Sequence, residues 1–319
     1  MSYGMLGYIG VAKETTWGTP VTAGSFMEAM SENLSTALDR FDTRNIFNSL
    51  SEPDDAVGLQ RNEGDIVIPA NPEALGLLLS AGLGLVASTS VTATYWNHVF
   101  QTRINDVSSL NPLPAYTYEV FRDVTSAQQY AGGQVRQLVL ASQPNQDLRV
   151  TATLLAKSVL NKARIAAASV LFPTTPGQPF TFDTCSIAIA GAATDRIEGF
   201  TLTINNQLEG VPALNNSTTL ARVHRTGPVM INLQGTISFN DVSEFLDFMN
   251  QTERAFSISF SKANSFLCVM NLQRCVYQAF PLGQQGRGRN TVSFDAKARV
   301  PVGSASAIAV QLRNNTSAY

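Results

Sequence analysis

Gly283, Gly286 and Gly288, interleaved with Arg287 and Arg289, have the composition of a phosphate cradle. Such a cradle needs backbone N–H groups at a helix start fed by a parallel strand. The residues around this run alternate like antiparallel strands, so the sequence predicts a flexible hairpin tip instead. His98 and His224 are the only histidines, and no motif sets a nucleophile beside either. His98 lies between Trp96 and Phe100 and reads as a half-buried packing residue; His224 sits in a basic loop with Arg222 and Arg225. Asp54-Asp55 follows Pro53, a pattern of solvated turns rather than of paired catalytic carboxylates. Cys185, Cys268 and Cys275 are too few for a disulfide framework and include no Cys-x-x-Cys, so they read as free thiols made in a reducing compartment. With two histidines beside them, a zinc site is not expected. Nothing here calls for a cofactor, a metal or an enzymatic activity.

The composition narrows the classes further. The 319 residues hold 22 basic and 24 acidic side chains, a net charge of −2, which excludes a nucleic-acid binder driven by a cationic surface. Charged residues make up 14%, against about 25% in a typical soluble domain, while 44% are hydrophobic. A subunit whose surface is largely covered by neighbours has this balance. Met1–Gly10 lacks the charged and apolar regions of a signal peptide. The longest apolar stretch, Leu75–Ala87, is interrupted by Gly76, Ser80, Gly82 and Gly84 and falls short of the ~20 residues of a membrane span. The expectation is a chain made inside the cell, with no membrane segment.

The elements repeat. Glu28–Leu34 and Glu198–Ile204 share one plan 170 positions apart. At that offset Ile66-Val67-Ile68 falls on Thr236-Ile237-Ser238, Asn71 on Asp241, Leu75 on Phe245 and Leu78 on Phe248. The sequence therefore predicts a mainly β protein with two tandem, related β-sandwich or barrel domains, each carrying one short α-helix. Their bounds are 1–165 and 166–319, with the linker in the Pro- and Gly-rich stretch Asn161–Pro179.

Each half reads strand, long loop, strand, helix, further strands. Phe200, Leu202 and Ile204 alternate with Thr201, Thr203 and Asn205. Val229, Ile231, Leu233, Ile237 and Phe239 run against Asn232, Gln234, Thr236 and Ser238. Period two means one apolar and one polar sheet face. In the first half Met30, Glu32 and Leu34 alternate with Ser31, Asn33 and Ser35, while Gln60–Ile68 has no assignable face. Asn71, Pro72 and Glu73 read as N-cap, first turn and dipole partner of a helix stopped by Gly82 or Gly84. Its counterpart starts near Asp241 with Glu244 completing a capping box, and has Phe245, Leu246, Phe248 and Met249 as its apolar set. Further strands are expected at Tyr116–Arg122, Gln134–Leu140, Leu148–Leu155, Ala255–Ser261, Leu267–Met270, Thr291–Val300 and Ala307–Leu312.

Two long loops separate adjacent strands, which is uncommon unless they act. Ala37–Gly58 carries Asp39, Asp42, Glu52, Asp54 and Asp55 against Arg40 and Arg44, a net of −3. Gln207–Gly227 carries Glu209 against Arg222 and Arg225, a net of +1, with His224 able to add charge. Opposite signs suit contact with a neighbouring subunit, acidic loop toward basic loop.

The opening Gly7-Tyr8-Ile9-Gly10-Val11-Ala12-Lys13-Glu14-Thr15-Thr16-Trp17-Gly18-Thr19-Pro20-Val21 resembles the start of phage tail tube proteins, the major tail proteins of long-tailed phages. The likeness continues at Ser31-Glu32-Asn33-Leu34, Pro72–Leu78, Thr117–Val120, Phe180-Thr181-Phe182 and Glu198–Leu202. It weakens at Arg222–Met230 and Cys268–Cys275. The resemblance implies a structural subunit that forms stacked rings. Its inner strands would join an intersubunit β-barrel around the conduit for DNA ejection, and a duplicated chain would form a pseudo-six-fold ring from three copies. It also implies neighbours in the virion tail: the tape measure protein, tail terminator and distal tail proteins, with DNA passing without specific binding and assembly in the host cytoplasm. On that reading the bore-facing residues are Ser31, Asn33, Asn62, Thr201, Thr203, Asn205, Asn232, Gln234 and Thr236. The inter-ring contacts are Asp39, Asp42, Glu52, Asp54, Asp55, Arg222, His224 and Arg225. A minor tail or sheath-like component, or a ligand-binding β-sandwich, would share the strands but not a continuous bore lining.

Overall fold

The computed structural model describes residues 4–42, 55–102, 113–173, 179–262, 265–283, 288–304 and 306–319. Up to residue 163 the elements are β1 (Tyr8–Lys13), β2 (Ser25–Met27), β3 (Ser31–Glu32), β4 (Ser35–Asp42), β5 (Asp55–Pro69), α1 (Pro72–Leu83), β6 (Gly84–Ser90), β7 (Trp96–Thr102), β8 (Tyr116–Phe121), β9 (Ser126–Ser142), β10 (Arg149–Ala156) and β11 (Ser158–Ala163). Then come β12 (Cys185–Ile189), β13 (Ala192–Thr194), β14 (Ile197–Asn205), β15 (Leu208–Val211), β16 (Arg222–Arg225), β17 (Met230–Ser238), α2 (Ser243–Met249), β18 (Arg254–Lys262), β19 (Phe266–Ala279), β20 (Thr291–Ala298) and β21 (Ala309–Asn314). The protein is mainly β, as the alternating sequence predicts.

Among the described residues every strand pairing is antiparallel, and one order of pairing occurs twice. β1 pairs β2 and β8, β8 pairs β9, β9 pairs β10 and β11, and β10 pairs β5, which also pairs β3 and β4. In the same way β12 pairs β13 and β18, β18 pairs β19, β19 pairs β20 and β21, and β20 pairs β17, which also pairs β14. The irregularities match too. The ladder of β10 and β9 slips between Thr153 and Leu154, opposite Gln137 and Val135. That of β20 and β19 slips opposite Tyr277 and Ala279. Counted from this shared bulge, Ile66-Val67-Ile68 corresponds to Gly235-Thr236-Ile237, one residue away from the 170-residue sequence offset. The shift is physical: it superposes the buried Ile68 and Ile237, whereas a one-residue slip would send a strand's apolar set to the other face.

Two hairpins lie outside the common order. The β6–β7 hairpin, absent from the sequence expectation, follows α1 and extends the other half's outer sheet, where β7 pairs β21. The β15–β16 hairpin forms a small separate sheet. The halves also share an inner sheet: β9 pairs β14 from Phe200 opposite Ser142 to Asn205 opposite Gln137. The inner sheet therefore runs β3/β4, β5, β10, β9, β14, β17, β20 without a break.

The helices differ from their predicted caps. Asn71 stands at the N-cap of α1 in an extended conformation but makes no side-chain cap; its amide donates to Glu28 at 2.9 Å. Pro72 opens the helix, and Gly84 ends it with φ 84°, its N–H donating to the Ser80 carbonyl. In α2 no capping box forms. Val242 occupies the N-cap, Asp241 accepts from the Ser243 N–H at 2.8 Å, and Glu244 turns inward to pair with Arg196. Leu246 and Met249, expected in its apolar core set, are exposed.

The main core gathers Ile66, Ile68, Leu75, Leu78, Leu138, Val150, Leu202, Ile204, Leu233 and Ile258 between the inner sheet, α1 and the outer strands. His98 is completely buried, not half-buried. Its ring bonds Ser88 at 2.8 Å and the Thr316 carbonyl at 2.9 Å, and packs 4.8 Å from the ring of Tyr319. Burial holds its pKa below the ordinary value, against its bonds to the Thr316 carbonyl and to Asn314. Tyr319 fills the space beside Gly76, where any Cβ would collide with its ring.

Candidate functional site

The face of the inner sheet turned away from the core is polar and continuous across both halves. Alternation along each strand sets its members. β14 contributes Thr201, Thr203 and Asn205, between buried Phe200, Leu202 and Ile204. β17 contributes Asn232, Gln234 and Thr236, with Thr203 opposite Asn232 and Thr201 opposite Gln234. On the other flank of β14, Thr203 stands opposite Val139 and Asn205 opposite Gln137. The row continues through Thr151 opposite Val139 and Thr153 opposite Gln137 to Asp65 and Val67 on β5, with Ser31 opposite Val67. Asn33 closes this end, its side-chain oxygen accepting from the Asp65 N–H.

The structure thus brings Ser31, Asn33, Thr201, Thr203, Asn205, Asn232, Gln234 and Thr236 onto one face. Asn62 is the exception. It is fully buried; its oxygen accepts from Thr36 at 2.8 Å and Gln60 at 3.1 Å, and its amide donates to the Lys157 carbonyl at 3.3 Å. The expectation that it belongs to the bore-facing polar set is therefore corrected: Asn62 lies in phase with buried Ile66 and Ile68, two and three pairs further along β5. Sequence reading missed Asp65, Gln137, Thr151, Thr153, Ser293, Asp295 and Lys297 on the polar side. Their signal was present as alternation, for instance Ser293, Asp295 and Lys297 between buried Val292, Phe294 and Ala296. The charged groups on this face are few, and most have a hydrogen-bonding neighbour. Asp65 accepts from Thr153 at 2.6 Å, Asp295 accepts from Gln234 at 3.1 Å, and Arg149 pairs with Asp147 at 3.3 Å.

The opening motif forms a latch. Glu14 is buried, and its carboxylate accepts from the Gly18 N–H at 2.7 Å, the Gly132 N–H at 2.8 Å and the Thr117 hydroxyl at 2.6 Å. Trp17 donates its indole N–H to the Gly132 carbonyl at 3.1 Å, and the Lys157 ammonium lies 4.7 Å from the Trp17 ring centroid. Gly18 has φ 76° and Gly132 φ 70°, conformations open to glycine. The spacing Glu14-x-x-Trp17-Gly18 therefore ties the first segment of the chain to β8 and β9. The sequence model of phage tail tube proteins matches residues 4–312. The chain belongs to the phage tail tube protein family. No curated protein matches it closely enough to count as a relative.

As a member of that family the chain is a structural subunit of the virion tail, in keeping with its mainly β architecture. No helix among the described residues is long and apolar enough to cross a membrane. The loops expected to make inter-ring contacts in a tail tube protein are hairpins where they are described. Arg61 donates twice to Asp39, at 3.1 and 2.8 Å, and Arg40 lies 3.7 Å from Asp55, so both carboxylates already have partners in their own hairpin. Glu52, Asp54 and the Asp42 side chain lie outside the described residues. In the other hairpin His224 stands opposite Glu209 and Arg222 opposite Val211, with Arg222 and His224 exposed and Arg225 half-buried. The bases of the two hairpins meet within one chain. The Gln60 N–H donates to the Thr218 carbonyl at 2.7 Å, and Leu59 packs on Leu155, Leu208, Leu220 and Val223. Gly283, Gly288 and Arg289 belong to the β19–β20 connection, where Arg289 pairs with Glu198 at 2.7 Å; Gly286 and Arg287 lie outside the described residues.

Proposed function

We propose that this protein builds the DNA-ejection conduit of a phage tail. Its two halves, 1–165 and 166–319, are tandem copies of one tube domain, and three chains close a pseudo-six-fold ring that stacks into a tube. The observation that carries this reading is the ladder of β9 and β14. Inside one chain, the last inner strand of one half accepts the first inner strand of the next. Among the described residues the equivalent edges are unpaired at the ends: β3–β4 on one side, and Thr291–Phe294 of β20 with Ala279–Gly283 on the other. Joining them across copies repeats the internal junction and leaves no free edge, which removes a surface that otherwise aggregates.

The polar face then lines the bore. Its side chains are short and mostly uncharged, and its cations Arg149 and Lys297 share the face with Asp65, Asp147 and Asp295, so phosphates meet no purely cationic ring to hold them. DNA passes without specific binding. The β4–β5 and β15–β16 hairpins project from the barrel and contact adjacent rings, with Asp39, Asp42, Glu52, Asp54 and Asp55 toward Arg222, His224 and Arg225. The tape measure protein, tail terminator and distal tail proteins meet the tube inside and at its ends. Electron microscopy of the purified protein tests the reading through end-on views. Hollow particles with three chains per turn support it. Compact monomers across salt and concentration, or six chains per ring, would overturn the conduit or the tandem-domain reading respectively.

A further inference from the structure

The two helices occupy equivalent places but are covered differently. α1 is buried along almost its whole length. One side lies on β9 and β10, and the other is covered by β21, β7 and β6 of the outer sheet. Asn314 of β21 donates to the Pro72 carbonyl at 2.9 Å, and Tyr319 donates to the Glu73 carbonyl at 3.1 Å. By alternation the face of β21 turned to α1 also carries Val310 and Leu312, both fully buried.

In α2 Glu244 and Asp247 are buried, and Phe245 and Phe248 are half-buried against the core. These carboxylates pair inward with Arg196 and Arg254, the latter at 2.6 Å, and lock the helix orientation. Val242, Leu246 and Met249 follow at helical spacing on the outer side, exposed by 55%, 50% and 62%. An apolar row held outward by two ion pairs is an unpartnered surface.

We propose that this row is covered by β11 of the next copy in the ring. The inference rests on the ring reading above and adds the contact that locks it. β11 pairs β9 as β21 pairs β19. The shared bulge sets the register: Gln128 and Ser126 of β9 correspond to Met270 and Cys268 of β19. Asn161 and Ala163, opposite the first two, therefore stand where Val310 and Leu312 stand, opposite the second two. Within the chain, the second half's outer sheet covers the first half's helix. Across copies, the next chain's first half covers α2. Asn161 and Ala163 are exposed, as a vacant seat requires. Their small and polar character, against Val310 and Leu312, makes this the separable joint, while α1 stays permanently enclosed.

The test uses the full chain. Leu246→Lys with Met249→Lys is expected to leave the monomer's circular dichroism and thermal midpoint unchanged, since both side chains are exposed. It should raise the protein concentration needed for ring formation by about a hundredfold. In a mixture of Leu246→Cys and Ala163→Cys chains, a short bifunctional maleimide should yield a cross-linked dimer that neither variant gives alone. Normal ring assembly by the double lysine variant, or no mixed dimer while rings form, overturns the α2 contact and leaves the tube reading standing. A wild-type chain that never associates overturns both.

Discussion

Replacing Glu14 tests how the family's opening motif works. The residue is 8% exposed, and its carboxylate accepts from two backbone N–H groups and one hydroxyl. Glu14→Ala leaves both N–H groups without an acceptor in a site that water reaches poorly. A buried donor stripped of its partner costs about 1–3 kcal/mol, and bonds to a charged acceptor lie at the upper end. The Thr117 hydroxyl rotates freely and keeps its bond from the Val21 N–H at 3.0 Å, so the two fixed N–H donors set the magnitude. The expected loss is about 3–5 kcal/mol, a large share of the roughly 5–15 kcal/mol that holds a domain together. Glu14→Gln keeps one acceptor but points an N–H₂ at the other donor, so its loss should be intermediate. Urea denaturation followed by tryptophan fluorescence suits the assay, because Trp17 belongs to the latch. The midpoint should fall in the order wild type, Gln, Ala, with an unchanged slope. A Glu14→Ala loss below about 1 kcal/mol would refute the argument, since a solvated carboxylate costs that little.

Four further outcomes follow from the geometry. Thr203→Lys with Thr236→Lys should leave assembly intact but make the tube retain double-stranded DNA, with retention falling steeply as salt rises; salt-insensitive or absent retention in a gel-shift titration would count against a bore lining. His98 is held neutral by burial, with its folded pKa below the ordinary 6.5. Its contribution is therefore present above pH 6.5 and lost as pH falls through the folded value, and the thermal midpoint should drop on acidification less in His98→Gln than in wild type. Burial pushes Cys268 and Cys275 up to about 12 and Cys185 up to about 11. A disulfide thiol reagent at pH 8 should label the native protein slowly and all three thiols in urea; fast labelling of a native buried thiol would contradict the packing. Finally, Asp55→Lys removes an exposed pair with Arg40, whose side chains are 67% and 50% exposed. It should cost under about 1 kcal/mol of stability yet shorten polymers if the hairpin meets the next ring, with tube length by electron microscopy as the readout.

Much of this protein was legible in one dimension. Period-two alternation located β14 and β17 and gave their polar residues a common side, because a pleated strand with one buried face must alternate; strands were also expected where β8, β10, β18 and β20 lie. Pro72 after Asn71, and Gly84 at the far end, marked α1 because a ring-locked φ and a left-handed cap are local demands. The opening motif carried the family, since a carboxylate, a tryptophan and a glycine at fixed spacing are what it gives to the latch.

Other features were settled only in three dimensions. Asn62 alternates like its neighbours, yet it is buried because Thr36, Gln60 and the Lys157 carbonyl, up to 95 residues away, satisfy its amide. Of the apolar residues of α2, Phe245 and Phe248 do pack on the core, but Leu246 and Met249 face outward, on a helix whose buried Glu244 and Asp247 pair with Arg196 and Arg254. The β6–β7 hairpin gave no sign that it would extend the outer sheet of the other half. The sequence by itself determined which residues alternate, where chains turn and which family they belong to, because those depend on neighbours within a few residues. Tertiary structure decided which face is covered, by how much a register slips, and which strand meets β14. Those depend on hydrogen bonds and apolar contacts between segments far apart in the chain, for which local pattern carries no address.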